Sequence, residues 1–144
     1  MATVPELLER RRWILLTAAF MLAACGGGGS GDAGGGTANR CESVPAAAVD
    51  AIEAGMTVSG GGSLSRAQAV RSNDFEKVWF VAAEIDGPGM EGAGDIGVWV
   101  TNDVNGGGTI GAVDGFAHQF SDWGVRSDVS RSDDGYSEAR ACLE

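Results

Sequence analysis

The sequence predicts an α+β domain: an antiparallel sheet of three to four strands with two to three helices packed on it. Three observations carry this expectation. Residues 64–101 hold short runs with a period of two, which suits strands. The flanking stretches, 44–54 and 110–143, space their apolar residues three and four apart, which suits helices. Two cysteines, Cys41 and Cys142, bracket the whole pattern.

Before the domain lies a different kind of sequence. Arg10, Arg11 and Arg12 precede an apolar run of 12 residues, Trp13 to Ala24, and Leu22-Ala23-Ala24-Cys25 closes it. As a helix rising about 1.5 Å per residue, that run is too short for a hydrocarbon core of about 30 Å. A basic start, a short apolar core and small residues before a cleavage point describe a signal peptide. With a cysteine directly after Leu-Ala-Ala, the segment resembles the bacterial lipoprotein signal. That resemblance implies cleavage before Cys25, lipid on its sulfur, and an anchor to the outer face of the cell membrane. Residues 1–24 are then the signal. Arg10-Arg11 also fits twin-arginine export.

Residues 26–40 read GGGGSGDAGGGTANR, in which eight of 15 residues are glycine and none is a large apolar residue. Such a chain gains nothing from burial and is expected to be a disordered tether with a reach of about 20–23 Å. It has no Gly-Lys-Ser/Thr sequence, so the glycines do not form a Walker loop. The expected organisation is signal 1–24, lipidated cysteine and tether 25–40, and one domain, 41–144.

Within the domain, Val44 to Ala54 is expected to be a helix, with Pro45 at its start and Gly55 just past its end. Residues 56–59 are ambiguous, between a short strand and a turn. Leu64 to Arg71 suits a strand. Lys77 to Ile85 is the strongest one, with Trp79, Val81, Ala83 and Ile85 on one face and Val78, Phe80 and Ala82 on the other. Apolar residues on both faces mark a central strand. Ile96 to Thr101 is its antiparallel partner. Ile110, Val113, Phe116, Ala117, Phe120 and Trp123 predict an amphipathic helix over 110–123, weakened by Gly111 and Gly115 at about 1 kcal/mol each. An extended piece around Val129 leads to a last helix, Tyr136 to Leu143, whose Cys142 would pin it beside the start of the first helix.

The domain resembles small bacterial lipoproteins of the actinobacterial type in Cys41-Glu-Ser-Val-Pro, Val78-Trp-Phe-Val-Ala-Ala-Glu-Ile, Phe120-Ser-Asp-Trp123 and Ala139-Arg-Ala-Cys142. The resemblance implies no activity and assigns no functional residue.

Charge and cysteine use narrow the partners. From Cys25 onward seven Lys/Arg stand against 18 Asp/Glu, a net charge of −11. Such a domain repels nucleic acid and anionic lipid, so no nucleic-acid partner is expected. With Cys25 lipidated, Cys41 and Cys142 form an even pair outside the cytoplasm and are expected to be a disulfide. Closing a loop of about 100 residues contributes about 4–5 kcal/mol.

No cofactor motif or metal-ligand spacing is present. His118 is the only histidine, and its neighbours Ser121 and Asp122 on one helix would not line up as a triad. Glu84, Asp86, Glu91 and Asp95 cluster around the glycine-rich link between two strands. With Met90, they form the candidate binding surface, since Gly and Pro bring backbone close to a partner. Two of these carboxylates could also serve a glycosidase-like cleft. Asp103 fits an EF-hand loop poorly, with Gly107 where a ligand belongs. Trp79, Trp99 and Trp123 suit a core better than a ligand platform. The expected function is therefore a lipid-anchored, non-catalytic binding or interaction domain for an envelope component or protein. The alternative is a small carboxylate-dependent envelope hydrolase.

Overall fold

A computed structural model describes residues 40–90 and 95–144. The signal, Cys25 and Glu91 lie outside the described residues. The architecture is α+β. Five antiparallel strands run in sequence order across one sheet: β1 (Glu42–Ser43), β2 (Ser63–Arg71), β3 (Trp79–Asp86), β4 (Ile96–Thr101) and β5 (Ile110–Ala112). Three short helices pack on it: α1 (Ala46–Glu53), α2 (Gly115–Gln119) and α3 (Tyr136–Ala141).

The sheet has two cores because β3 is apolar on both faces. Val81, Ala83, Ile85, Trp99, Ala69, Ala112, Ile52 of α1 and Ala117 of α2 form one cluster. Phe80, Ala82, Val70, Val98, Val100, Val129, Ala139 of α3 and Leu143 form the other. The alternation expected for β3 is therefore the one observed, and β3 is the central strand. Val129 is buried in the second cluster, as part of the connection that leads to α3.

Two of the five strands, β1 and β5, fall outside the segments expected to be strands. β1 is a two-residue edge strand, Glu42 against Ala69 and Ser43 against Gln68, too short to show a period. β5 replaces the first turn of the helix expected over 110–123. Ile110, Gly111 and Ala112 pair with Thr101, Val100 and Trp99. Gly111 is suited to this place, because a Cβ there would overlap the aliphatic stem of Arg126. The helix begins only after Asp114, whose carboxylate accepts a hydrogen bond from Ala117 N–H at 2.9 Å and caps it.

β2 carries a bulge. Its register against β3 shifts between Ser65 and Gln68, and Arg66 adopts φ 51° there. The extra residue resets the alternation, so Leu64, Ala67 and Ala69 all meet the cluster under α1 and α2. On the open edge of β2, Glu53 Oε1 accepts from Leu64 N–H at 2.6 Å, a side chain taking the place of a neighbouring strand.

Residues 56–59 resolve into an isolated bridge, Met56 to Ser121, and a turn. Cys41 and Cys142 form a disulfide with their Cα atoms 5.8 Å apart. It ties the C-cap of α3 to the residue before β1. It does not bring α3 beside α1, as the sequence suggested, because the two helices lie on opposite faces of the sheet.

Candidate functional site

The acidic end of the sheet is built by β3 running out at Asp86 and β4 starting at Ile96. Glu84 pairs across the sheet with Ile96, and Ile85 N–H donates to Asp95 O at 2.9 Å. Glu84 and Asp95 thus occupy successive register positions, which point to opposite faces of a pleated sheet. Glu84 Oε1 takes a hydrogen bond and ion pair from Arg66 Nη1 at 2.5 Å. The bulge aims Arg66 here, and its second amino group donates to Leu143 O. Asp86 is exposed. Met90 packs its side chain against the α1/α2-side core rather than presenting it as a free apolar contact. The link therefore separates its described carboxylates. Glu84 is neutralised, Asp86 faces solvent, and Asp95 lies across from Ile85. Asp86 is left as the strand-end carboxylate most open to a partner.

Trp79, Trp99 and Trp123 are structural. Trp99 is fully buried, and its indole N–H donates to Ser121 Oγ at 3.2 Å. Trp123 donates to Ile52 O at 2.9 Å, locking the segment after α2 to the end of α1. Trp79 lies under the guanidinium of Arg71, 5.5 Å from the ring centre. His118 is exposed on α2. Asp103 is occupied with its own turn, accepting from Asn105 N–H at 2.9 Å and from the Asn105 side-chain amide. Among the described residues no group of three or more His, Cys, Asp or Glu side chains is placed to hold a metal ion.

A shallow notch lies between α1 and the β4–β5 turn, lined by Ala48, Ile52, Thr101, Asp103, Gly106 and Ile110. Its empty volume is about 160 Å³, open solvent included. Small-molecule sites usually offer about 300–1,000 Å³. The notch is a packing seam.

Two polar networks were missed by sequence reasoning, and both depend on contacts far apart in the chain. Arg40 makes a bidentate pair with Asp134, at 2.8 and 3.0 Å, and a further ion pair with Glu138. Asp134 also accepts from Asn73 N–H at 2.8 Å. Its pKa is lowered to about 2, first by the Arg40 hydrogen bond and then by Asn73. In the second network the buried Asp114 receives Tyr136 Oη and Arg140 Nη1, each at 3.4 Å. Burial, then the Asp114 charge, raises the pKa of Tyr136. The doubled aspartate at 133–134 and the arginine ending the glycine tract were the only local signals.

Sequence reasoning also misjudged Phe116. Placed on the core stripe by its spacing, it is 41% exposed. No protein-family model, curated protein or solved structure matches the chain.

Proposed function

We propose that the protein is a lipid-anchored lipoprotein on the outer face of the cell membrane, and that its domain is a non-catalytic binding or interaction module of the envelope. The observation that supports this most is the Cys41–Cys142 disulfide. Disulfides persist in oxidising compartments. Once these two are paired, Cys25 is the remaining cysteine of three, at the position where the lipoprotein signal requires one. Among the described residues no helix is long and apolar enough to cross a membrane. Attachment through acyl chains on Cys25 would supply the anchor, each buried CH₂ contributing about 0.8 kcal/mol.

The start of the fold and Asp86 lie toward opposite ends of β3. Glu42, next to the disulfide, pairs with Ala69, and Ala69 pairs with Val81. Asp86 lies five residues further along β3, about 17 Å away at roughly 3.4 Å per residue. Asp86 is thus separated along the sheet from Arg40, where the described fold begins, and this separation supports reading the Asp86 end as open to a partner.

The test is fractionation of cells carrying Cys25→Ser in the full chain. The expected result is loss of the acylated membrane form, with protein released to the medium or held as uncleaved precursor. A Cys25→Ser protein that is still processed, acylated and membrane-bound would overturn the anchor. The non-catalytic reading is checked on peptidoglycan and polysaccharide substrates. Turnover by the wild-type chain that Glu84→Gln or Asp86→Asn abolishes would replace it with the hydrolase.

A further inference from the structure

We propose that the exposed face of α2, where Phe116 stacks on Phe120, is a docking surface for a basic protein segment that carries an apolar anchor. This rests on reading the domain as a binding module and names the surface and the chemistry of its partner.

The helix holds its place without Phe116. Ala117 is its buried residue, Asp114 caps its first turn, and Ser121, just after it, bonds Trp99 and Ala117 O. The Phe116 and Phe120 rings lie 6.2 Å apart with only 18° between their planes. Phe116 is 41% exposed, so the stacked pair shows an aromatic surface to solvent. Buried aromatic anchors dominate the binding energy of protein interfaces.

Charge selects the partner. The 48 residues from Val78 to Val125 contain no Lys or Arg, nor does the stretch Cys41 to Ser65. Those two stretches supply α1, α2, β3, β4 and β5. The seven basic residues from Arg40 onward all lie elsewhere. Arg40, Arg66, Arg126 and Arg140 are already ion-paired within the domain. On the face that carries α2, Asp50 and Asp122 are exposed and take part in none of the ion pairs among the described residues. Asp122 N–H donates to Gly55 O at 2.8 Å, which sets the backbone of this residue where the exit of α2 meets the end of α1. An aromatic pair in a negative field attracts a cation both by Coulomb attraction and by the ring quadrupole. A second copy of the chain, an anionic lipid surface and nucleic acid all bring the wrong sign.

Photo-crosslinking in cells tests this on the full chain. A photoreactive phenylalanine analogue replaces Phe116, or Asp86 or Arg131 as comparison sites, and mass spectrometry identifies the crosslinked segment. The expected result is an adduct at 116 whose partner segment has net positive charge and an apolar residue. Its yield should fall about fivefold in the Asp50→Asn, Asp122→Asn double variant, the effect of losing two exposed charge pairs. Phe116→Ser in competition should lose the same partner. An adduct at 116 with lipid, with a second copy or with an acidic or neutral segment overturns the proposal, and so does a yield unchanged by the double variant. Adducts at 86 but not at 116 overturn the surface and leave the binding module standing. No adduct at any of the three sites counts against both.

Discussion

Arg40 closes the glycine-rich segment and opens the fold, and it does so through charge. Its guanidinium spans Asp134 and Glu138 beside the disulfide, so the first residue of the fold is clamped to the last helix. The pair leaves a signature in pH. Asp134 falls from 3.8 to about 2 in the fold. A carboxylate with a depressed folded pKa contributes stability that is fully present above the unfolded pKa. That contribution is lost as the pH falls through the folded pKa. The window here is pH 4 down to pH 2. Asp128, held at about 2 by Arg126, titrates in the same window. Asp134→Asn should therefore flatten part of the acid limb of stability between pH 4 and 2, measured by chemical denaturation, while the Asp128 part remains. Superimposable acid limbs for variant and wild type would remove Arg40–Asp134 from the account.

Glycines decide the elements, and their effects differ in sign. Gly97 lies in β4 beneath Trp99. A Cβ at 97 would sit 2.5 Å from Trp99 Cη2 and 3.2 Å from Ile85 Cδ1. Both neighbours are buried, so neither can give way cheaply. Gly97→Ala should cost about 1–3 kcal/mol through overpacking. For a domain of this size each kcal/mol lowers Tm by about 4–8 °C. Gly115 is the opposite case. It is the first residue of α2, and a Cβ added there would meet nothing within 4 Å. Gly115→Ala should stabilise by about 0.4–1 kcal/mol, because it narrows the unfolded ensemble. Thermal melts of the two variants check both signs. A Gly97→Ala protein as stable as wild type would mean that Trp99 is not packed as described.

The described domain is a sheet covered on both sides and stitched at one edge. The disulfide spans a sequence separation of 101 and joins the residue before β1, at the sheet edge, to the C-cap of α3, the helix covering one face. In the chain-entropy account a loop of that length contributes about 4–5 kcal/mol. A domain's total stability is typically about 5–15 kcal/mol. Cys41→Ser with Cys142→Ser should therefore remove a large share of the stability, and dithiothreitol should do the same to the wild-type protein. A change below about 1 kcal/mol in denaturant titrations would show that the packed faces alone hold the fold.

Local pattern determined the α+β class, the central position of β3, its pairing with β4, the second and third strands to within two residues, and both outer helices. Each follows from a period that neighbouring residues share, and from the two-sided apolar composition of Val78 to Ile85. The Cys41–Cys142 pairing was legible as well, because these two cysteines stand at the two ends of the domain. Tertiary structure alone decided the rest. Residues 110–112 have helical spacing, yet they form β5, because β4 offers open hydrogen-bonding groups and Gly111 fits beneath Arg126. Glu42 and Ser43 become a strand only because β2 lies beside them. Glu84 looked like part of an acidic binding loop until the bulge at Arg66 brought a guanidinium onto it. Phe116 looked like core and lies at the surface, because the helix begins at Asp114, and Ala117 is the α2 residue that the sheet buries. For β1 and Glu84 a partner distant in the chain overrode a local preference worth about 1 kcal/mol or less, whereas β5 and Phe116 were set by pairing with the preceding strand β4 and by the Asp114 cap.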